Sequence, residues 1–202
     1  MWVRSSGVLP SAAVMMLNRL ERFDPLWCEE PVTPDSLDLL LEAKRGTRIP
    51  IAAGERLYTL PDFYRLTALR AADIVQMDVA HCGGIFASKK IAAMAAAQDM
   101  SFAPHCSVGP VALAACLHLD WSTPNCLLQE AFADFDVPWR NDLVRGWNPL
   151  HDGEFVLPDR PGLGLELDDD AIAEHPYRHH AFPSLWDGDW LTNFTQNDPL
   201  TD

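Results

Sequence analysis

Five side chains suited to acid–base and cation chemistry recur along this sequence at a near-constant interval. Glu29 follows "LWC", Glu55 follows "IPIAAG", Asp78 follows "DIVQM", His105 follows "SFAP" and Glu130 follows "CLLQ". The steps between them are 26, 23, 27 and 25 residues. In each case a short apolar run that reads as a buried strand gives way to a titratable residue. Oxygen ligands without thiolates suit a hard cation such as Mg²⁺, which takes a few carboxylates and keeps places for water or substrate. Asp78 and His105 form a natural pair, because a carboxylate bonded to imidazole orients it and raises its basicity, as a general base requires.

Each residue also has an ordinary structural explanation. Glu29 or Glu30 could cap the following helix, Glu55 could pair with Arg56 or Arg45, Asp78 could be a helix cap, and His105 could be a hydrogen-bonded structural histidine. Five such residues at equivalent positions make that explanation poor.

The elements that must carry them alternate. The apolar pattern predicts helices over 11–23, 35–44, 60–71, 85–98 and 111–119, and strands over 26–28, 49–53, 74–77, 101–103 and 126–128. Strands this continuously apolar have no wet face, so the fold class is α/β with a parallel sheet covered by helices. An open doubly wound sheet would want a glycine-rich turn after its first strand. "HCGGIF" is the only glycine pair entering a helix, and it lacks that spacing. A polar residue at the C-terminal end of each strand is what the active site of a (β/α) barrel requires, and residues 1–138 are assigned to a partial barrel. From about Trp139 the chain turns rich in Gly, Pro and Asp; 139–181 reads as short strands and turns, and 182–202 as a polar peripheral tail. His179 and His180 read as surface histidines rather than metal ligands.

Composition narrows the partners. The net charge of −14 argues against nucleic acid or an anionic membrane as partner, since both need basic patches. The five cysteines are odd in number and contain no CxxC, which disfavours a disulfide framework or zinc ribbon and fits a reducing cytoplasm. Cys106, beside His105, could be a nucleophile, but no local signature favours that over a packed thiol. No run approaches signal-peptide or membrane-span length, so the expected location is cytoplasmic.

The motifs "LWCEEP", "IPIAAGERL", "DIVQMDVAHCGGI", "FAPHCSVGPVALAACLHLD" and "TPNCLLQEA" make the chain resemble the mandelate-racemase branch of the enolase superfamily, most of all the galactonate-type sugar-acid dehydratases. The resemblance runs from about Ser11 to about Asp170. It implies the C-terminal part of an enolase-type barrel, with the N-terminal capping domain and first strands missing. It also implies Mg²⁺ as cofactor, a small sugar acid as substrate, and a homo-oligomer for the intact enzyme. By position, Glu29 and Glu55 fall on metal ligands, His105 on the base that removes the α-proton, Asp78 on its dyad partner, and Glu130 on the acid that hydrogen-bonds the developing enolate. The implied reaction is dehydration of an aldonic acid to a 2-keto-3-deoxy acid. A racemase or epimerase of the same superfamily, or a non-catalytic remnant, are the alternatives.

The sequence departs from the family where a third metal ligand and a general acid stand: those positions carry Val3 and Ser5. The expectation is therefore weakened metal binding, no turnover by these residues alone, and unpaired sheet edges near Leu26 and Cys126.

Overall fold

The computed structural model describes residues 2–4 (backbone), 9–33, 36–131, 139–147, 150–157 and 159–177. Alternation of strand and helix holds throughout its first two thirds. β1 (Trp2–Arg4), β2 (Trp27–Glu29), β3 (Ile51–Ala53), β4 (Ile74–Val75) and β5 (Ser101–Phe102) form one sheet in sequence order. All four pairings are parallel. A fifth parallel contact, the bridge between Phe102 and Cys126, continues the series. A strand order that never reverses has no topological switch point, so the sheet is wound in the barrel sense and not doubly wound.

The crossover helices are α1 (Pro10–Leu20), α2 (Leu37–Arg45), α3 (Leu60–Ala68), α4 (Gly84–Ala96) and α5 (Pro110–Trp121). Proline in the first turn of α1, α3 and α5 suits positions whose N–H would have no helical partner. Helix α1 ends in a 3₁₀ turn at Glu21–Phe23, where the sequence suggested continuous helix. The expected strand at 126–128 is reduced to the single bridge at Cys126. The start of the chain, which showed no strand signal, supplies β1, so the sheet edge expected near Leu26 is paired.

Period-two alternation divides the strands' side chains between two clusters. Cys28, Ile51, Ala53, Val75, Met77 and Phe102 join the helices in the main core, together with the fully buried Leu17, Phe63, Leu66 and Ile91. Trp27, Ala52, Ile74 and Ala103 form a second, small cluster on the opposite, inner face. Fully burying side chains of this size stabilises by about 1.5–3 kcal/mol each.

Polar ties fix the end of the sheet away from the strand C-termini. Lys44 Nζ donates to Arg70 O at 3.0 Å and Ala72 O at 2.9 Å, and pairs with Asp73 Oδ1 at 2.9 Å. Asp73 Oδ2 in turn accepts the Ile51 N–H at 2.9 Å. Beyond the barrel units, β6 (Val144–Arg145) pairs antiparallel with β9 (Glu166–Leu167), and β7 (Leu150–His151) with β8 (Glu154–Phe155). α6 (Asp169–Glu174) follows, with Asp168 as a side-chain cap accepting from Ala171 N. Val144 and Trp147 pack this segment onto the main core. His179, His180 and the tail over 182–202 lie outside the described residues.

Candidate active site at the strand ends

The inner-face alternation that places Trp27, Ala52, Ile74 and Ala103 in one layer places the next inward residues one step nearer the strand C-termini. Glu29 is two residues after Trp27, Gln76 and Asp78 are two and four after Ile74, and His105 is two after Ala103. The structure joins them as this register requires. Gln76 Nε2 donates to Glu29 Oε2 at 3.0 Å, across 47 residues of sequence. A bridge pairs Asp78 with His105, and His105 Nδ1 meets Asp78 Oδ2 at 2.8 Å. His105 Nε2 faces Glu55 Oε2 at 3.3 Å. Only Glu29 is the last residue of its strand; the other strands end sooner, and Glu55, Asp78 and His105 sit on the first loop residues after them.

Local structure holds these loops in shape. Gly54, with φ of +144°, lets the chain pass the backbone of Gln76 so closely that a Cβ would lie 3.0 Å from its carbonyl carbon. Asp78 Oδ1 accepts the N–H groups of Ala80 at 2.8 Å and His81 at 3.1 Å, a tight turn that fixes the carboxylate before it meets His105. Gly83 and Gly84 then carry positive φ into α4. Asp78 is therefore not a helix cap, since α4 starts at Gly84 with Gly83 as its N-cap; one oxygen holds the turn and the other is left for His105.

Burial shapes the electrostatics. Burial opposes charge on His105, yet the Asp78 hydrogen bond and the charges of Glu55, Glu130 and Asp78 outweigh it and hold the imidazole up at about 9. Burial likewise opposes charge on Asp78, but its hydrogen bond to His105 and the two nearby imidazoles keep it below the ordinary carboxylate range. Glu130 is pushed up, chiefly by burial and also by the charges of Glu29 and Glu55, with His105 pulling the other way. One of its oxygens, Oε2, is buried without a hydrogen-bond partner among the described residues. Mutual influence among Glu29, Glu55, Glu130 and His105 means that these residues share one neighbourhood.

Other expectations resolve differently. Arg56 Nε pairs with Glu30 Oε2 at 2.5 Å and not with Glu55. Cys106 is buried, and its thiol shares a hydrogen bond with that of Cys116 in the core, the surroundings of a packed thiol. All five cysteines are free. Val3 stands in β1 opposite Cys28, while Ser5 lies outside the described residues. Two residues escaped the sequence reading. Gln76 could have been found from its place on the inner face two residues before Asp78. His81, 42% exposed with Nδ1 3.6 Å from Asp78 Oδ2, carries no local signal.

As a cation site the carboxylates fit in part. Glu29 and Glu55 offer hard oxygen donors of the kind Mg²⁺ takes in ones and twos. Among the described residues, no three His, Cys, Asp or Glu side chains are grouped as a metal cage. No helix among them is long and apolar enough to cross a membrane.

A singly wound parallel sheet with a carboxylate–imidazole pair at its strand ends defines a barrel enzyme class, and the sequence assigns the family. The chain belongs to the enolase C-terminal domain-like family, whose model matches residues 5–171. It is 40% identical over 165 residues to a D-galactonate dehydratase of Xanthomonas oryzae pv. oryzae, a match covering 79% of this chain and 43% of the relative. A D-galactonate dehydratase of Pectobacterium atrosepticum is 38% identical over 167 residues, covering 80% and 44%. The solved mandelate racemase/muconate lactonizing enzyme-like protein of Rubrobacter xylanophilus superposes with a TM-score of 0.80 at 39% identity, over 84% of this chain and 43% of that one. The chain therefore spans less than half the length of these relatives, and its fold is that of the C-terminal part of an enolase-type barrel.

Proposed function

We propose that this chain forms part of a Mg²⁺-dependent dehydratase that converts an aldonic, galactonate-like sugar acid to a 2-keto-3-deoxy acid. The observation that carries the proposal is the His105–Asp78 hydrogen bond of 2.8 Å within reach of the Glu55 and Glu130 carboxyls. Asp78 occupies Nδ1, so the neutral form of His105, which a value of about 9 favours only at alkaline pH, takes the proton from the carbon α to the substrate carboxylate on Nε2. Glu130 Oε2, buried and without a partner among the described residues, is available to hydrogen-bond the oxygen on which negative charge develops. The β-hydroxyl then leaves as water with the proton that His105 Nε2 took up, and the remaining enol becomes the keto acid. Glu29 and Glu55 would hold Mg²⁺, which would supply positive charge against the substrate carboxylate and take up the Glu55 oxygen that otherwise faces His105. Gln76 steadies Glu29 for that task. Residues 1–138 would form the barrel portion and 139–181 a segment packed against it.

His105→Asn, in a protein completed to a full barrel, should abolish exchange of the substrate α-proton with deuterated solvent, read by NMR, while leaving substrate affinity within a few-fold. Exchange at the unchanged rate would remove His105 as the base. Formation of keto acid, detected as its semicarbazone, separates dehydration from racemisation, which exchanges the proton without losing water. The 202 residues alone should not turn over aldonic acids with excess Mg²⁺. Turnover near ~10 s⁻¹, the order of a typical enzyme, would overturn that expectation.

A further inference from the structure

Behind the strand-end site, Glu30 and Arg56 form an ion pair that plays no part in the chemistry proposed above. Each stands one residue past a carboxylate of the site, Glu30 after Glu29 and Arg56 after Glu55. Glu29 turns inward to Gln76, whereas Glu30 turns to the helix side and lines a small pocket with Val32, Leu37, Leu40, Leu57 and Leu66. There the Glu30 side chain is 4% exposed and that of Arg56 28%, and Arg56 Nε donates to Glu30 Oε2 at 2.5 Å. The β2–β3 ladder reaches as far as Glu30 N, which donates to Ala52 O at 2.9 Å. Glu55 and Arg56 lie past the end of β3 at Ala53, so beyond the ladder this side-chain pair ties the two loops together. Glu30 also holds a φ of +38°, in the left-handed region that a glutamate rarely adopts.

Two local costs meet at Glu30. Taking a carboxylate and a guanidinium out of water is unfavourable, and well-packed apolar side chains in the same places are commonly as stable or more so. A left-handed backbone at a residue with a Cβ adds strain, and such strain clusters where function needs a particular geometry. Stability alone therefore does not account for the pair, whereas its place beside both Glu29 and Glu55 does. We propose that Glu30 and Arg56 are positioning residues: by joining the positions that follow Glu29 and Glu55, their ion pair clamps the separation of those two carboxyls and so the opening they offer a divalent cation. The cation part rests on the reading of Glu29 and Glu55 given above; the clamping of Glu29 does not. Mg²⁺ demands near-ideal geometry at about 2.0–2.1 Å, whereas Ca²⁺ accepts flexible geometry at about 2.3–2.6 Å. A fixed opening favours the more exacting ion, and a loosened one tells against Mg²⁺ first. Gln76, 2% exposed, reports on the clamp, since its side-chain amide donates to Glu29 Oε2 at 3.0 Å and loses that bond when Glu29 shifts.

The test uses the full 202-residue chain with Arg56→Met, Arg56→Lys and the double variant Glu30→Met/Arg56→Met. Hydrogen exchange of the Gln76 side-chain amide, read by heteronuclear NMR, should quicken about tenfold or more in Arg56→Met. Arg56→Lys, which keeps the charge, should stay within about threefold of wild type. The double variant buries no charge, so it should recover a melting temperature near that of wild type yet keep the fast exchange. By calorimetric titration, Arg56→Met and the double variant should bind Mg²⁺ about tenfold or more weakly, with Ca²⁺ affinity within about threefold of wild type. A stably folded double variant whose Gln76 amide exchanges as slowly as in wild type would overturn the clamp and leave the pair a structural one. Equal losses of Mg²⁺ and Ca²⁺ affinity would overturn its part in choosing the ion. A wild type that binds neither ion, while Arg56→Met still frees the Gln76 amide, would overturn the cation reading of Glu29 and Glu55 and support the clamp.

Discussion

Replacing Asp120 by Asn should make the protein's stability less sensitive to pH, and the size of the effect follows from burial. The carboxyl sits beside Leu117, Trp121 and Cys126, and burial, opposed only by the weak Cys126 thiol donor, pushes it up from 3.8 to about 7. An acid whose folded value exceeds its unfolded one keeps its proton longer in the folded state. Between about pH 4 and pH 7 the folded chain holds this proton and the unfolded chain does not. Stability therefore declines as pH rises through that window and levels off above it. At 1.36 kcal/mol per pH unit of displacement, the whole effect approaches about 4 kcal/mol, of which about 2–3 kcal/mol falls between pH 5 and pH 8. The assay is urea unfolding of wild type and Asp120→Asn at both pH values. Taking the wild-type-minus-variant difference at each pH and then comparing the two cancels every other titrating group. The wild type should lose about 2–3 kcal/mol relative to the variant on going to pH 8. A change below about 0.5 kcal/mol would mean that water or a stronger donor than the Cys126 thiol reaches Asp120, and its burial would not govern its titration.

Three further perturbations test the scaffold, each by denaturant unfolding. Phe63→Ala, at a fully buried core position, should cost about 3–5 kcal/mol; a loss under 1 kcal/mol would contradict its burial. Gly54→Ala forces a residue with a Cβ into φ +144° against the Gln76 backbone, and should cost about 1–3 kcal/mol while loosening the Gln76–Glu29 contact. Lys44→Met removes the ammonium that ties Arg70, Ala72 and Asp73, with an expected loss of about 1–3 kcal/mol.

Local pattern alone carried much of this protein. Continuous apolar runs alternating with amphipathic stretches made the parallel α/β architecture legible, because strand and helix periods are written in neighbouring residues. The recurrence of Glu29, Glu55, Asp78, His105 and Glu130 after such runs made their shared neighbourhood legible too, since a singly wound sheet brings its strand ends together. Pairing was not legible. Trp2–Arg4 becomes a strand only because β2 lies beside it, and Cys126–Leu128 shrinks to one bridge at Cys126. Arg56 turns to Glu30, and Gln76 reaches Glu29 from 47 residues away, a choice set by strand register that no local spacing records. Asp120 reads as an ordinary polar residue near the end of a helix; only the tertiary structure shows it buried, with the Cys126 thiol beside it. Periodicity is a property of neighbours along the chain, whereas partnership and desolvation are properties of neighbours in space.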